Sequence, residues 1–154
     1  MPFGSLVIYT SSQKGSVEFD KQLFEKFGAR VIRDRAKILL PTPRTTKRAI
    51  KILKSEAINI VWFGAAAPLA LMSSALRKNG VSNIVALSHG HEVWWAKIPV
   101  FKQLLRKIIQ NVNYLGYLGN FTKSELLKVS DDPDKLIQIA PGIDTNHFTP
   151  KVAS

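Results

Sequence analysis

Two histidines and a glutamate stand within four consecutive positions of the chain, in the run His89-Gly90-His91-Glu92. The run follows residues 83–88, whose apolar composition is typical of a buried strand. An imidazole in this position can donate a hydrogen bond to a hydroxyl or a phosphate, or it can transfer a proton. Glu92 could orient the imidazole or bind a hydroxyl itself. A histidine whose ring forms hydrogen bonds only with the backbone of its own loop explains the same pattern. The clustering of these side chains nevertheless favours a functional role.

The same two histidines raise the question of a metal site, because a His-x-His pair on extended chain presents both rings on one face. Zinc takes four ligands in structural sites, and the only other histidine is His147, with no cysteine to complete a set. The aspartates at 131, 132 and 134 have the pattern of a solvated turn. We therefore do not expect a metal ion.

A second candidate site is the run of small residues Gly64-Ala65-Ala66-Ala67, which follows the apolar residues 58–63. Small side chains let a ligand approach the backbone, and the amides at the start of a following helix attract anions. A tight turn that needs small residues only for packing explains the run equally well, and on pattern alone we favour it. The chain contains neither G-x-G-x-x-G nor G-x-x-x-x-G-K-[ST], so a dinucleotide or P-loop site is unsupported.

The chain is strongly basic, with 22 lysines and arginines against 11 aspartates and glutamates, or a net charge of +11. Such an excess favours contact with polyanions, namely nucleic acid, anionic lipid head groups or phosphorylated small molecules. Trp94 and Trp95, close to Lys97, could stack bases or lie at a lipid interface, although such tryptophans more often cover a core. A basic stripe between residues 44 and 54 is most often a solvated helix face.

Secondary structure must position these side chains, and short apolar runs alternate along the chain with segments of helical periodicity. Strands are predicted at residues 5–11, 29–34, 58–63, 83–88, 113–119 and 135–142. Helices are predicted after residue 46, from Pro68, from Pro99 and after Thr122, which has with Glu125 the spacing of a capping box. This alternation predicts βαβ units and an α/β fold with a parallel sheet. Ligands of such sheets lie beyond the carboxyl ends of the strands, where both candidate runs fall.

Length and composition limit the class of protein further. A chain of 154 residues, 45% hydrophobic and 21% charged, predicts one globular domain. The absence of cysteine fits a reducing compartment. The start of the chain lacks the features of a secretory signal. Residues 60–72 form the longest apolar run, which is interrupted by Gly64 and Pro68 and is shorter than the roughly 20 residues that a bilayer requires. A soluble or membrane-peripheral protein is therefore expected.

Four segments carry a more specific pattern: VWFGAAAPLALMSSALRKNG, IVALSHGHEVWWAKIPVFKQLLRKI, YLGNFTKSEL and APGIDTNHFTP. Together they resemble the N-terminal half of family 4 glycosyltransferases of the GT-B architecture. Within that family the sequence is most similar to the GDP-mannose-dependent mannosyltransferases that extend phosphatidylinositol mannosides. The resemblance is dense from residue 58 to residue 150 and thinner before it.

This resemblance implies one lobe of a two-lobed enzyme, a Rossmann-like domain whose parallel sheet has helices on both faces. In the family the C-terminal lobe holds most of the sugar-nucleotide contacts. The N-terminal lobe supplies much of the acceptor site and a histidine that reaches the donor sugar, and His89 corresponds to that histidine. The family needs no metal or cofactor. The further substrate-binding candidates beside the cleft are Gly64, Ala65, Ala66, Gly90, His91 and Glu92.

Two departures from the family pattern define the domain limits that we expect. Residues 5–11 resemble the second strand of the family, so a first βα unit with a glycine-rich loop is expected to be missing. Residues 1–142 are predicted as a partial N-terminal domain, and residues 143–154 as the start of the interdomain linker. The donor-binding domain is expected to be absent.

The resemblance thus implies a fragment of a retaining α-mannosyltransferase, which transfers mannose from GDP-mannose to a phosphatidylinositol mannoside. The expected location is the cytoplasm, peripheral at the inner face of the cell membrane, where the basic faces and the paired tryptophans would assist docking to an anionic surface. The isolated chain is expected to be inactive. One alternative is a different sugar donor within the same superfamily. The other is a non-catalytic, basic Rossmann-like module that binds RNA or anionic lipid, with nucleic acid the less favoured partner.

Overall fold

The structure is a computed structural model and describes residues 2–142 of the chain. The strands over this range are β1 (Val7–Ser11), β2 (Arg30–Asp34), β3 (Ile60–Phe63), β4 (Asn83–Leu87), β5 (Tyr114–Tyr117) and β6 (Leu136–Gln138). The α-helices are α1 (Ser16–Phe27), α2 (Pro43–Ser55), α3 (Ser73–Arg77), α4 (Val93–Lys97), α5 (Pro99–Asn111) and α6 (Asn120–Leu127). Two 3-10 turns occupy Leu69–Met72 and Pro133–Lys135.

All of these strands run parallel, which confirms the predicted α/β class. They form two sheets, β1-β2 and β3-β4-β5-β6, where one sheet was expected. Each predicted strand is present, although most are shorter than the apolar run that predicted them. The described chain divides into two compact units: residues 2–59 with 74–81, and residues 60–73 with 82–142. The predicted linker, residues 143–154, and His147 lie outside the described residues.

The four-stranded sheet contains the main core of the second unit. Alternate residues of β4 are fully buried, as a strand covered on one face requires. The periodicity of α5 predicted a buried stripe at Phe101, Leu104, Leu105, Ile108 and Val112. Leu105, Ile108 and Val112 are buried, whereas Leu104 is half-buried and Phe101 is 40% exposed. The fully or almost fully buried side chains of the sheet and of α5 are Ile84, Ala86, Leu105, Ile108, Ile109 and Leu115, together with Val112 directly after α5.

Close contacts fix the register of β5 between its neighbours. The side-chain Oδ1 of Asn113 accepts a hydrogen bond from the amide of Ile84 at 2.8 Å, and the amide of Asn113 donates to the carbonyl of Ile84 at 2.7 Å. Gly116 lies opposite Leu87 in the ladder. A Cβ at Gly116 would stand 2.5 Å from Ile139 Cδ1, so a side chain there would displace its neighbours. This close approach favours glycine in the middle of β5, because a larger residue there would force the side chains of Ile139 and Leu87 to shift.

Two helices differ from the sequence-based expectation. Helix α1 was not predicted, since charged residues interrupt its apolar positions, and none of its residues is buried. The prediction of a capping box at Thr122 and Glu125 is wrong. Helix α6 begins at Asn120, and its N-cap residue is Gly119, which provides no side-chain cap. Thr122 and Glu125 instead lie inside the helix and are buried. The Glu125 carboxylate accepts a hydrogen bond from Lys128 Nζ.

A polar network closes the carboxyl edge of the β1-β2 sheet in the first unit. Tyr9 Oη donates to Asp34 Oδ2 at 2.6 Å, and Arg48 Nη1 donates to the same oxygen at 3.2 Å. The amide of Ala36 donates to Asp34 Oδ1 at 3.0 Å. Burial, with the hydrogen bond to Asp34 as the second cause, raises the pKa of Tyr9 to about 12. The hydrogen bond from Tyr9 is also the main cause that lowers the pKa of Asp34.

This network predicts how stability changes at alkaline pH. The pKa of Tyr9 is raised from 10.0 to about 12 on folding, so its contribution is fully present below pH 10 and is lost as the pH rises towards 12. We expect Tyr9→Phe to lower the free energy of unfolding by about 1 kcal/mol at neutral pH. The same variant should flatten the fall in stability above pH 10, measured by urea unfolding at several pH values. An unchanged alkaline profile would contradict this role of Tyr9.

Candidate functional site

The two candidate runs meet at the carboxyl edge of the four-stranded sheet. The loop with the small residues leaves β3, the loop with the histidines leaves β4, and the two strands are hydrogen-bonded neighbours. The amide of Ala66 donates to the carbonyl of Leu87 at 2.9 Å. The amide of Ser88 donates to the carbonyl of Gly116 in β5 at 2.8 Å. The β3 and β4 loops therefore form one surface, at the edge where parallel sheets bind ligands.

His89 is an exposed residue whose ring is fixed by this arrangement. Its Nε2 lies 2.7 Å from the carbonyl oxygen of Gly64. A carbonyl only accepts hydrogen bonds, so Nε2 carries a proton and donates it. Among the described residues no group is hydrogen-bonded to Nδ1. In the neutral ring Nδ1 is an acceptor, and it can receive a hydrogen bond from the hydroxyl of a sugar.

Glu92 connects the two loops from below this surface. Its side chain is almost completely buried, at 2% exposure. Its Oε1 accepts a hydrogen bond from the amide of Ala67 at 3.2 Å, and its Oε2 accepts one from Ser88 Oγ at 2.8 Å. Ser88 is fully buried, and its Oγ accepts from the amide of Gly90 at 3.3 Å. A buried carboxylate needs such donors, since an unpaired one would carry a large desolvation cost.

The geometry separates the predicted substrate-binding residues into two groups. Ala66 and Glu92 are buried, and their hydrogen-bonding groups are already engaged, which favours a supporting role over direct contact with a ligand. The other predicted residues are exposed or half-buried at the surface of the site. Contact between a substrate and any of these residues stays a prediction. The residues at the surface are Gly64, Ala65, His89, Gly90 and His91.

Gly90 changes the expected relation between the two histidines. Its φ of 91° lies in the left-handed region, so the chain turns between His89 and His91 instead of continuing as an extended strand. The premise that a His-x-His pair presents two rings on one strand face is therefore wrong here. Within residues 2–142 there is no group of three or more His, Cys, Asp or Glu side chains that could hold a metal ion.

An aromatic groove adjoins the histidine loop, and the sequence did not predict it. The groove has a volume of about 740 Å³. It is lined by residues 89–91 of the histidine loop, by Trp94 and Trp95 of α4, by Ile98 between the two helices, and by Phe101 of α5. The rings of Trp95 and Phe101 are in tilted contact, with centroids 5.1 Å apart. Pro99, in the first turn of α5, is the sequence signal that separates this helix from α4.

Helices long and apolar enough to cross a membrane are absent from residues 2–142.

The chain matches the family model described as Glycosyltransferase Family 4 over residues 5–147. A GDP-mannose-dependent alpha-(1-6)-phosphatidylinositol monomannoside mannosyltransferase from Mycolicibacterium smegmatis is 35% identical over 94% of this chain. The protein of the same name from Mycobacterium tuberculosis is 33% identical over 97% of it. A GDP-mannose-dependent monoacylated alpha-(1-6)-phosphatidylinositol monomannoside mannosyltransferase from Corynebacterium glutamicum is 36% identical over 95% of it. The chain spans 38% to 39% of the length of these relatives.

The connection through Glu92 predicts a specific loss of stability. Glu92→Ala removes the carboxylate that accepts two hydrogen bonds. The amide of Ala67 and the hydroxyl of Ser88 then lose their acceptor. We expect this variant to lose about 2 to 4 kcal/mol of unfolding free energy in urea, because each orphaned buried group costs about 1–3 kcal/mol. Hydrogen exchange at the amides of Ala67 and Gly90 should also accelerate.

Two variants control this experiment. Glu92→Gln keeps the shape and one carbonyl acceptor, so it should lose less stability than Glu92→Ala. His91→Ala changes an exposed side chain of the same loop, and we expect a change within about 0.5 kcal/mol. Equal stability of Glu92→Ala and the unmodified chain would refute the structural role of Glu92.

Proposed function

Because the chain belongs to glycosyltransferase family 4, we propose that it forms part of a retaining mannosyltransferase, which transfers mannose from GDP-mannose to a phosphatidylinositol mannoside. The single observation that best supports this role for the site is His89. Its ring stands exposed at the tip of β4, is held by the Gly64 carbonyl, and adjoins an open groove. The names of three relatives, each at least 33% identical over most of this chain, support the donor and the acceptor class.

In the proposed reaction the enzyme acts mainly by alignment and by electrostatic stabilisation. Binding places a hydroxyl of the acceptor beside the anomeric carbon of mannose, on the face from which the diphosphate leaves, so the configuration is retained. Positive charge stabilises the departing diphosphate. His89 orients the donor sugar, with Nε2 fixed by Gly64 and Nδ1 turned to a sugar hydroxyl. Glu92 contributes indirectly by holding the two loops in register.

We also propose that the protein is cytoplasmic and binds peripherally to the inner face of the cell membrane. Helix α2 contains no acidic residue, and its exposed cations follow one another at intervals of three or four residues, which places them on one face. These exposed cations, here called the α2 stripe, are Arg44, Lys47, Lys51 and Lys54. In the other unit, Trp94 and Lys97 are exposed on α4. Basic and aromatic side chains of this kind favour anionic lipid interfaces.

The transferase proposal is tested by a chimera. The matching segment of the Mycolicibacterium smegmatis relative is replaced by this chain, and mannosyl transfer from GDP-mannose to a phosphatidylinositol mannoside is measured. We expect transfer by the chimera and negligible transfer by the chain alone, because in the family most sugar-nucleotide contacts lie in the other lobe. His89→Ala should reduce kcat on the order of 100-fold, the scale of a lost transition-state hydrogen bond.

Lys21→Ala, an exposed change in α1, is the matched control and should leave transfer unchanged. Transfer at ordinary enzymatic rates by the chain alone would refute the half-enzyme part of the proposal. Full activity of the His89→Ala chimera would refute the role of His89. Replacing GDP-mannose by other sugar nucleotides in the same assay tests the alternative of a different donor.

Membrane binding is tested by reversing charge on the α2 stripe. Lys47→Glu with Lys51→Glu should weaken binding to vesicles that contain phosphatidylinositol by at least about tenfold, since each basic residue near an anionic surface contributes about 1 kcal/mol. Lys14→Glu with Lys21→Glu changes the net charge equally at exposed positions outside the stripe, and a loss below about threefold is expected. Equal losses in both double variants, measured by vesicle sedimentation, would show that only net charge matters.

A further inference from the structure

We propose that the groove along α4 and α5 holds one acyl chain of the acceptor lipid, with the polar head of the same molecule at the histidine loop. This inference rests on the proposed function, because it assigns part of the acceptor to a particular surface. The occupant is a single amphiphile, a glycerophospholipid with an anionic head.

The lining of the groove has a polar part and an apolar part, as the binding of an amphiphile requires. Its polar part belongs to residues 89–91, which follow β4 at the edge of the sheet. Its apolar part belongs to Trp94, Trp95, Ile98 and Phe101, and none of these side chains carries a charge. A sugar ring can stack one face on an indole, but its hydroxyl groups need hydrogen-bonding partners, whereas a hydrocarbon chain can lie along all four of these side chains without any. The apolar part therefore suits the tail and the loop suits the head.

Exposure of these side chains shows that the apolar part lacks a cover within the described chain. Trp94 is 73% exposed, and Ile98 and Phe101 are each 40% exposed. A contiguous exposed apolar surface often marks a binding site, whereas single scattered apolar side chains do not. The contact of Trp95 with Phe101 holds one wall in place, so the groove exists before a ligand enters.

The charge of the surrounding helices complements an anionic lipid. Residues 93–111 contain no aspartate or glutamate. Lys97 follows Trp94 by three positions on α4, which places the ammonium group on the same helix face as the indole. Three further cations lie on α5, namely Lys102, Arg106 and Lys107. Arg106 is paired with Asp131 at 3.5 Å, but neither α4 nor α5 itself contributes a carboxylate, so a lipid phosphate beside these helices would meet mainly cations.

The proposal is tested by varying the length of the acyl chain of a lipid. Soluble lysophosphatidylinositols are used as monomers, below their critical micelle concentration. Burial of one methylene group is equivalent to about a fourfold gain in affinity. We expect the affinity of the protein, measured by tryptophan fluorescence and calorimetry, to rise by about three- to fourfold per methylene and to level off when the groove is filled. Glycerophosphoinositol, which has the head group alone, should bind much more weakly.

Two variants of α4–α5 locate the effect. Ile98→Ser lies in the groove and should flatten the dependence of affinity on chain length. Val100→Ser removes an apolar side chain that is 69% exposed on the same pair of helices but does not line the groove, so it should keep the dependence. Affinity that is independent of chain length, as in stacking of a sugar ring on Trp94, would overturn the proposal. A dependence without a plateau, or one unaffected by Ile98→Ser, indicates insertion into aggregates or bilayers and would also overturn it.

The result is independent of catalysis. An inactive chimera together with a chain-length dependence that Ile98→Ser removes would reject the transferase and retain the acyl site. An active chimera with no chain-length dependence would reject the acyl site and retain the transferase. Self-association that buries the groove, detected by analytical ultracentrifugation without lipid, would also reject it.

Discussion

The carboxylate of Glu92 receives one hydrogen bond from each of the two loops that leave β3 and β4, and the position of His89 depends on this connection. The Gly64 carbonyl that fixes the imidazole belongs to the first loop, and the imidazole belongs to the second. The two loops are joined at one point through the ring and at another through Glu92 and Ala67. An exposed ring can thus be oriented without being packed, because the two loops that hold it are joined by the buried side chain of Glu92.

Much of the placement of this site follows from the sequence. The apolar run at residues 84–87 is uninterrupted, so β4 and the position of His89 just after its carboxyl end are predictable from composition alone. The same holds for α5, where Leu105, Ile108 and Val112 repeat at helical spacing and are buried. Parallel order then brings the β3 loop beside the β4 loop, since hydrogen-bonded neighbours present their carboxyl ends at one edge.

Other features depend on contacts between distant residues and could not be predicted. The inward orientation of Glu92 requires the amide of Ala67, which lies 25 positions earlier. The sequence predicted that the rings of His89 and His91 share one face of an extended strand. The turn at Gly90 makes this prediction wrong, because glycine adopts positive φ as readily as negative φ. The start of α6 was misplaced because Thr122 and Glu125 have capping-box spacing, while the backbone begins the helix at Asn120. The aromatic groove arises only when α4 and α5 meet around Ile98.

The glycine in the middle of β5 has a consequence for the path of the chain. Ile139 occupies the space that a side chain at Gly116 would fill, and its amide donates to the carbonyl of Tyr117 at 2.9 Å. The backbone that follows β6 is thereby held against the same edge of the sheet that carries His89. Residues 136–139 are therefore anchored by side-chain packing as well as by the ladder to β5, so a larger residue at position 116 would loosen the end of the sheet and not only its middle.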